Sequence, residues 1–226
     1  MTTRTTAVAA LLVVCVTATA FAQDQRSTGL PARISWTFNF DAAIGSFSFL
    51  NSLFTDPHDE PSGDLGDNWL EGYVRPSLSG SITLSGGSVV HGAASAVGER
   101  TYGGAPALVG EEFSSFGPDD LWVGWRSGTV LSGLGDDALS VTVGRAPYQL
   151  GHGFLLYDGT GEGGSRGGYW SNAREAFEFA SIVKFAPGPH TVEGFYLDKD
   201  ELPESESGSR LWGANYELAA GASTFG

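Results

Sequence analysis

Cysteine is almost missing from this chain of 226 residues: Cys15 is the only one, and it lies inside the apolar run at residues 7–16. Disulfide frameworks and thiolate zinc centres are therefore excluded. Basic residues are also scarce, 12 Lys and Arg against 26 Asp and Glu for a formal charge of -14. Without a basic footprint, nucleic acid is not expected as a partner. No apolar run approaches the roughly 20 residues that a membrane-crossing helix requires. Catalytic signatures are missing as well. His58, His91, His152 and His190 stand apart with no His-Glu-x-x-His pairing, and there is no Gly-x-Ser-x-Gly elbow. The glycine run at residues 159–168 lacks the Gly-Lys-Ser/Thr ending of a phosphate loop. The acidic groups Asp56, Asp59, Glu60, Asp64, Asp67 and Asp198, Asp200, Glu201, Glu204, Glu206 offer hard oxygen ligands, but neither follows the spacing of a calcium loop. The expectation is a protein that is not an enzyme, with no cofactor and no metal.

What the chain does have is alternation. In residues 70–85 the even positions Leu70, Gly72, Val74, Pro76, Leu78, Gly80, Ile82 and Leu84 are apolar or glycine, and the odd ones all hydrogen-bond. Side chains on a strand point alternately to opposite faces, so this stretch has one oily and one wet side. A bilayer-spanning strand needs only about 9 to 11 tilted residues, and a membrane barrel alternates apolar outside with polar inside. The amino terminus fits export. Arg4, the apolar run and Ala20-Phe21-Ala22 read as a signal peptide over residues 1–22, followed by a short periplasmic segment at 23–31 and a barrel domain at 32–226.

Taken in order, the pattern predicts about eight strands. They lie near residues 32–49, 70–85, 88–102, 121–126, 139–144, 177–185, 191–196 and 211–218. The connections run long, short, long, short, long, short, long, as in outer-membrane barrels with long outer loops and short periplasmic turns. Trp36, Trp69, Tyr73, Trp122, Trp125, Tyr196 and Trp212 lie near strand ends, where interfacial aromatics belong. The predicted fold is therefore all-β, an antiparallel up-and-down transmembrane β-barrel of the bacterial outer membrane, with outer-membrane lipid as its surroundings. Two alternatives share the alternation: a small closed barrel with a structural or adhesion role, and a secreted β-sandwich.

The run Val141-Thr142-Val143-Gly144-Arg145, continued by Tyr148, Gly151, Gly153 and Phe154, resembles the alginate-export family of outer-membrane barrels. Asp67-Asn68-Trp69 before the long strand is similar to that family too. The resemblance covers residues 32–226 and implies a porin-like channel with a charged, water-filled lumen, passing a small solute or exporting an anionic polysaccharide such as alginate. Members of that family carry about twice as many strands, and residues 222–226 lack an aromatic-terminated closing strand, so the chain looks like the amino-terminal half of such a barrel.

With the apolar parity facing lipid, the other parity places Arg33, Arg75, Arg126 and Lys184 in the lumen with Asp41, Glu71, Glu178, Glu193 and Glu217. A basic ladder for a polyanion and a set of self-neutralising pairs both fit this list. Arg145 is out of phase with Ser140, Thr142 and Gly144, which points to a bulge before it or a place at the rim. Its counterpart in the family implies a role in the pore or in anchoring a loop. The candidate pore-lining set is Arg33, Arg75, Arg126, Arg145, Lys184, Glu71, Glu178 and Glu217.

Overall fold

A computed structural model describes residues 18–21, 33–50, 66–103, 112–220 and 223–225. Their strands form a single antiparallel up-and-down sheet, each paired with its neighbours in chain order, and the sheet is open. Eight strands make up its body: β2 (Arg33–Leu50), β3 (Gly66–Thr83), β4 (Val89–Gly103), β5 (Ser114–Arg126), β6 (Leu139–Arg145), β7 (Phe179–Phe185), β8 (His190–Asp198) and β9 (Arg210–Ala220). Two short strands flank them. β1 (Ala18–Phe21) lies in the stretch read as signal peptide and pairs with β2, while β10 (Ser223–Phe225) pairs with β9 where no closing strand was expected.

The register follows from the alternation. Ile34 pairs with Ile82, Phe38 with Leu78 and Ala42 with Val74, and across the next ladder Leu78 meets Ala94 and Ile82 meets Val90. The same parity continues through Val123, Val143, Val183, Val192 and Tyr216, so one face of the eight strands is lined mainly by apolar residues. That face is uncovered. Leu78 is 49% exposed, Ile82 39% and Phe179 40%, and among the described residues no second sheet lies against them. A two-sheet sandwich would bury these side chains between its layers, so the sandwich alternative does not describe this architecture.

Strand length is uneven. β2 and β3 have 18 residues each, β6 and β7 only 7. The β6–β7 ladder continues past both ends, because Phe177 N–H donates to Ala146 O and Ala186 N–H to Ala138 O. β5 is longer than its alternation implies. It starts at Ser114 rather than near 121, since a β-bulge between Ala94 and Ala96 admits an extra residue opposite Ser95. The connection at 127–138, expected to be short, is a coiled set of turns closed by Val130 N to Ser127 O and Leu134 N to Leu131 O. Gly128 at φ 54 packs against the 84–88 turn so tightly that any Cβ would strike Gly87 O.

The buried apolar cluster sits on the opposite face from the uncovered apolar one. Ala146, Tyr148, Phe177, Ala180 and Leu197 form it, with Trp122, Ile182, Phe195 and Leu211 packed around. Ala180, Ile182 and Leu211, on the parity opposite Phe179, Val183 and Trp212, therefore supply a dry seat. Phe177, placed in the sixth strand by the alternation, is turned inward instead, because it precedes β7 and belongs to the incoming loop. Glu178, assigned to the sixth strand by the same reading, also precedes β7 and is exposed.

Candidate functional site

The long connection between β6 and β7, residues 146–178, folds back over the polar face. Its only helix is one turn, α1 (Gly163–Arg166). Buried polar backbone must find partners, and here the wall supplies them as carboxylates. Glu71 on β3 accepts from Trp170 N at 2.8 Å, Ser171 N at 2.8 Å and Ser171 Oγ at 3.0 Å, and from Trp69 Nε1 at 2.6 Å. Glu99 on β4 accepts from Ala173 N at 2.7 Å. Asp119 on β5 accepts from Glu175 N and Ala176 N, both at 3.1 Å. Three adjacent strands thus hold consecutive parts of one segment, 170–176, laid across them. Bonds from N–H to a carboxylate are charge-assisted and stronger than neutral ones.

Arginines fill the gaps between these acids. The buried Arg174 guanidinium reaches Glu99 at 3.4 Å and donates to Val97 O and Pro118 O at 3.2 and 3.1 Å. Arg75 lies 2.8 Å from Asp119, 3.0 Å from Asp120 and 3.8 Å from Glu175. Both aspartates face it because of the bulge, which Ser95 clamps by accepting from Asp120 N at 2.8 Å and donating to Asp120 Oδ2 at 2.9 Å. Arg145 follows Gly144, whose φ of 127 breaks the pleat. Its guanidinium therefore leaves the apolar parity, donating to Asp119 O at 3.2 Å and pairing with Asp200 at 2.9 Å. Arg166 of α1 reaches the same Asp200 at 3.4 Å.

Apolar packing completes the dock. Phe177 is buried against Gly159, where a Cβ would come within 2.5 Å of the Phe177 ring, and Gly159 N–H donates to Glu175 O at 3.0 Å. Tyr148 donates to Glu193 Oε1 at 2.6 Å, and burial together with that carboxylate raises its pKa, so the phenol stays a donor.

No family model, curated protein or solved structure matches this chain. The resemblance therefore rests on the residues already named for it, at 141–154 and at 67–69, alone.

Of the candidate pore-lining residues, the structure gathers Glu71, Arg75 and Arg145 into this network. The others are elsewhere. Arg33 is exposed at the start of β2, and Arg126 pairs with Asp137 at 3.3 Å beside the 127–138 turns. Lys184 is exposed opposite Ser140 and Glu193, Glu178 is exposed before β7, and Glu217 accepts from Asn215 Nδ2 at 3.1 Å. Sequence reasoning did not assign Glu99, Asp119, Asp120, Arg166, Arg174 or Asp200 to a site. Glu99 shares the parity of Glu71 and could have been added on that ground. Asp56, Asp59, Glu60 and Asp64 lie outside the described residues, and of Asp67 only the backbone is described. Among the described residues, no group of three or more His, Cys, Asp and Glu is placed to hold a metal ion, and no helix is long and apolar enough to cross a membrane.

Proposed function

We propose that the chain forms the wall of a porin-like barrel in the bacterial outer membrane, not an enzyme, and that segment 146–178 narrows the passage for solute. The observation that carries this reading is the uncovered apolar face shared by β2 to β9, opposite a polar face onto which a loop is fastened. Exposed apolar surface of that extent is unfavourable in water and at home against acyl chains. Shallow apolar grooves of about 440 and 410 Å³ run over this face, one past Ile44, Leu70 and Val74, the other past Ile34, Leu78 and Ile82. Arg100, on the same parity, stacks over Tyr102 at 4.2 Å and pairs with Glu112 at 3.1 Å near the strand end, the behaviour of a basic side chain reaching out of an apolar layer.

A small uncharged or cationic solute suits the polar face better than the anionic polysaccharide implied by the resemblance. Of the basic residues read as guiding a polyanion, Arg75, Arg126 and Arg145 are paired with acids, as are Arg166 and Arg174 of the docked loop, while Arg33 and Lys184 are exposed near strand ends. Part of the face stays open as a cavity of about 250 Å³ lined by Ser35, Ser79, Ser81 and His91. Planar-bilayer recording tests the reading. Discrete, ion-selective current from refolded protein supports passage, and silence from folded, inserted protein shifts the function to a closed barrel with a structural or adhesion role. Protein that stays folded in water without detergent rejects both.

A further inference from the structure

Where the docked loop meets the wall it leaves a cavity of about 220 Å³, lined by Pro147, Tyr148, Gln149, Tyr157, Asp158 and Glu175. Two carboxylates and two phenol rings border one small space. Asp158 Oδ1 accepts from Thr160 N at 2.9 Å and the Gly159 N–H also supports this carboxylate, which borders the cavity. Glu175 has half its side chain exposed, and its nearest cation, Arg75 at 3.8 Å, is closer to Asp119 and Asp120.

We propose that this cavity binds a small organic cation, an amine or a quaternary ammonium, between the Asp158 and Glu175 carboxylates and the Tyr148 and Tyr157 rings. Opposite charge answers the two acids, and ring faces attract cations, modestly at a ring as exposed as Tyr157 and more strongly at the buried Tyr148. The electrostatics of the site agree. Burial, with the negative charge of Asp119, raises the pKa of Asp158. Burial likewise raises that of Glu175, against the opposing pull of Arg75 and with Asp119, Asp158 and Asp120 adding to the rise. The charged groups that act on these two carboxylates are Arg75 from β3, Asp119 and Asp120 from β5, and Lys199 just after β8, two acids against two bases, so the excess negative charge is that of Asp158 and Glu175 themselves, with Glu193 beyond the Tyr148 hydroxyl. A bound cation relieves this repulsion. A uronate or other anion increases it, so the site discriminates against anionic sugars. The inference concerns occupancy of the docked loop and does not require the barrel to conduct.

Isothermal titration of the detergent-folded full chain tests it, with putrescine and tetramethylammonium as probes and glucose and glucuronate as controls. Saturable binding of a cation is expected, weakening with salt and strengthening as pH rises through the range where the two acids ionise. Asp158→Asn and Glu175→Gln should each weaken it about tenfold, the scale of one lost charge pair. The asparagine keeps an oxygen for Thr160 N and tolerates the positive φ of 67 at this position, so that variant retains the loop turn. Tyr157→Leu should weaken tetramethylammonium through loss of the ring. The proposal is overturned if neither cation binds saturably, if glucuronate binds as well as putrescine, or if the folded double variant Asp158→Asn with Glu175→Gln binds unchanged. A barrel that binds putrescine but passes no current keeps this site and loses the transport reading. A conducting barrel that binds no cation does the reverse.

Discussion

Replacing Glu71 by glutamine should release the loop without unfolding the sheet. The carboxylate receives three contacts from the loop, Trp170 N, Ser171 N and Ser171 Oγ, and one from Trp69 Nε1. Glutamine has the same shape but one acceptor and no charge, so in its best orientation the carbonyl keeps the loop contacts while the amide N–H confronts the indole N–H. Each remaining bond falls from the charge-assisted range of about 1.5–3 kcal/mol to the neutral range of about 0.5–1.5 kcal/mol. Over three contacts the loss is about 3 kcal/mol of docking free energy, or roughly a 100-fold rise in the undocked fraction at about 1.4 kcal/mol per tenfold. Hydrogen exchange in detergent reads this directly. The Trp170 and Ser171 amides should lose roughly two orders of magnitude of protection, with the Ser79 and Ile82 amides of β3, between β2 and β4, as the unchanged reference. Equal protection of Trp170 in the variant and the parent refutes the latch, as does a loss spread evenly over the ladder amides.

Three further outcomes follow from the same geometry. Leu78→Arg, in mid-β3 on the uncovered face, should cost about 2–4 kcal/mol of insertion into lipid vesicles, measured by the yield of protease-protected, heat-modifiable barrel; a water-exposed sheet would tolerate it. Phe177→Ala should cost about 3–5 kcal/mol, read by urea titration of loop protection, because an aromatic side chain is deleted from a closed seat. For Asp158 and Glu175 the folded-state pKa values are raised, so the folded protein holds more protons than the unfolded one between the ordinary carboxylate range and the raised values. Stability contributed by the loop should therefore fall as pH rises through that window. The double variant Asp158→Asn with Glu175→Gln should flatten that slope in a thermal melt series and melt higher at neutral pH.

The body of the sheet was legible because period-two alternation fixes face and register together. Leu78 and Ile82 find apolar cross-strand neighbours on both sides, as that pattern requires. β5 was read too short. Gly117 and Pro118 carry turn chemistry, and the Asp119–Asp120 pair interrupts the alternation, so nothing local distinguishes a bulged strand from a connection. Arg145 announced itself by being out of phase, but its partner Asp200 lies beyond two further strands. The docking of residues 146–178 left no trace in periodicity. What fixes it is a set of acceptors on three strands, each separated from its donor by long stretches of chain, and a single sequence records donors and acceptors without recording that they meet.

The doubled aspartate opposite Ser95 has a consequence for how such a wall acquires chemistry. Pro118 and Phe116 on one side of the bulge and Leu121 on the other keep the same outward face, pairing with Ala96, Gly98 and Ala94 in turn. Removing Asp119 outright would restore a regular ladder with its apolar face intact and one loop anchor gone. A single residue inserted at this place adds an acidic group to the polar face while leaving the apolar face unrevised, so the chemistry of the two faces can be altered one at a time.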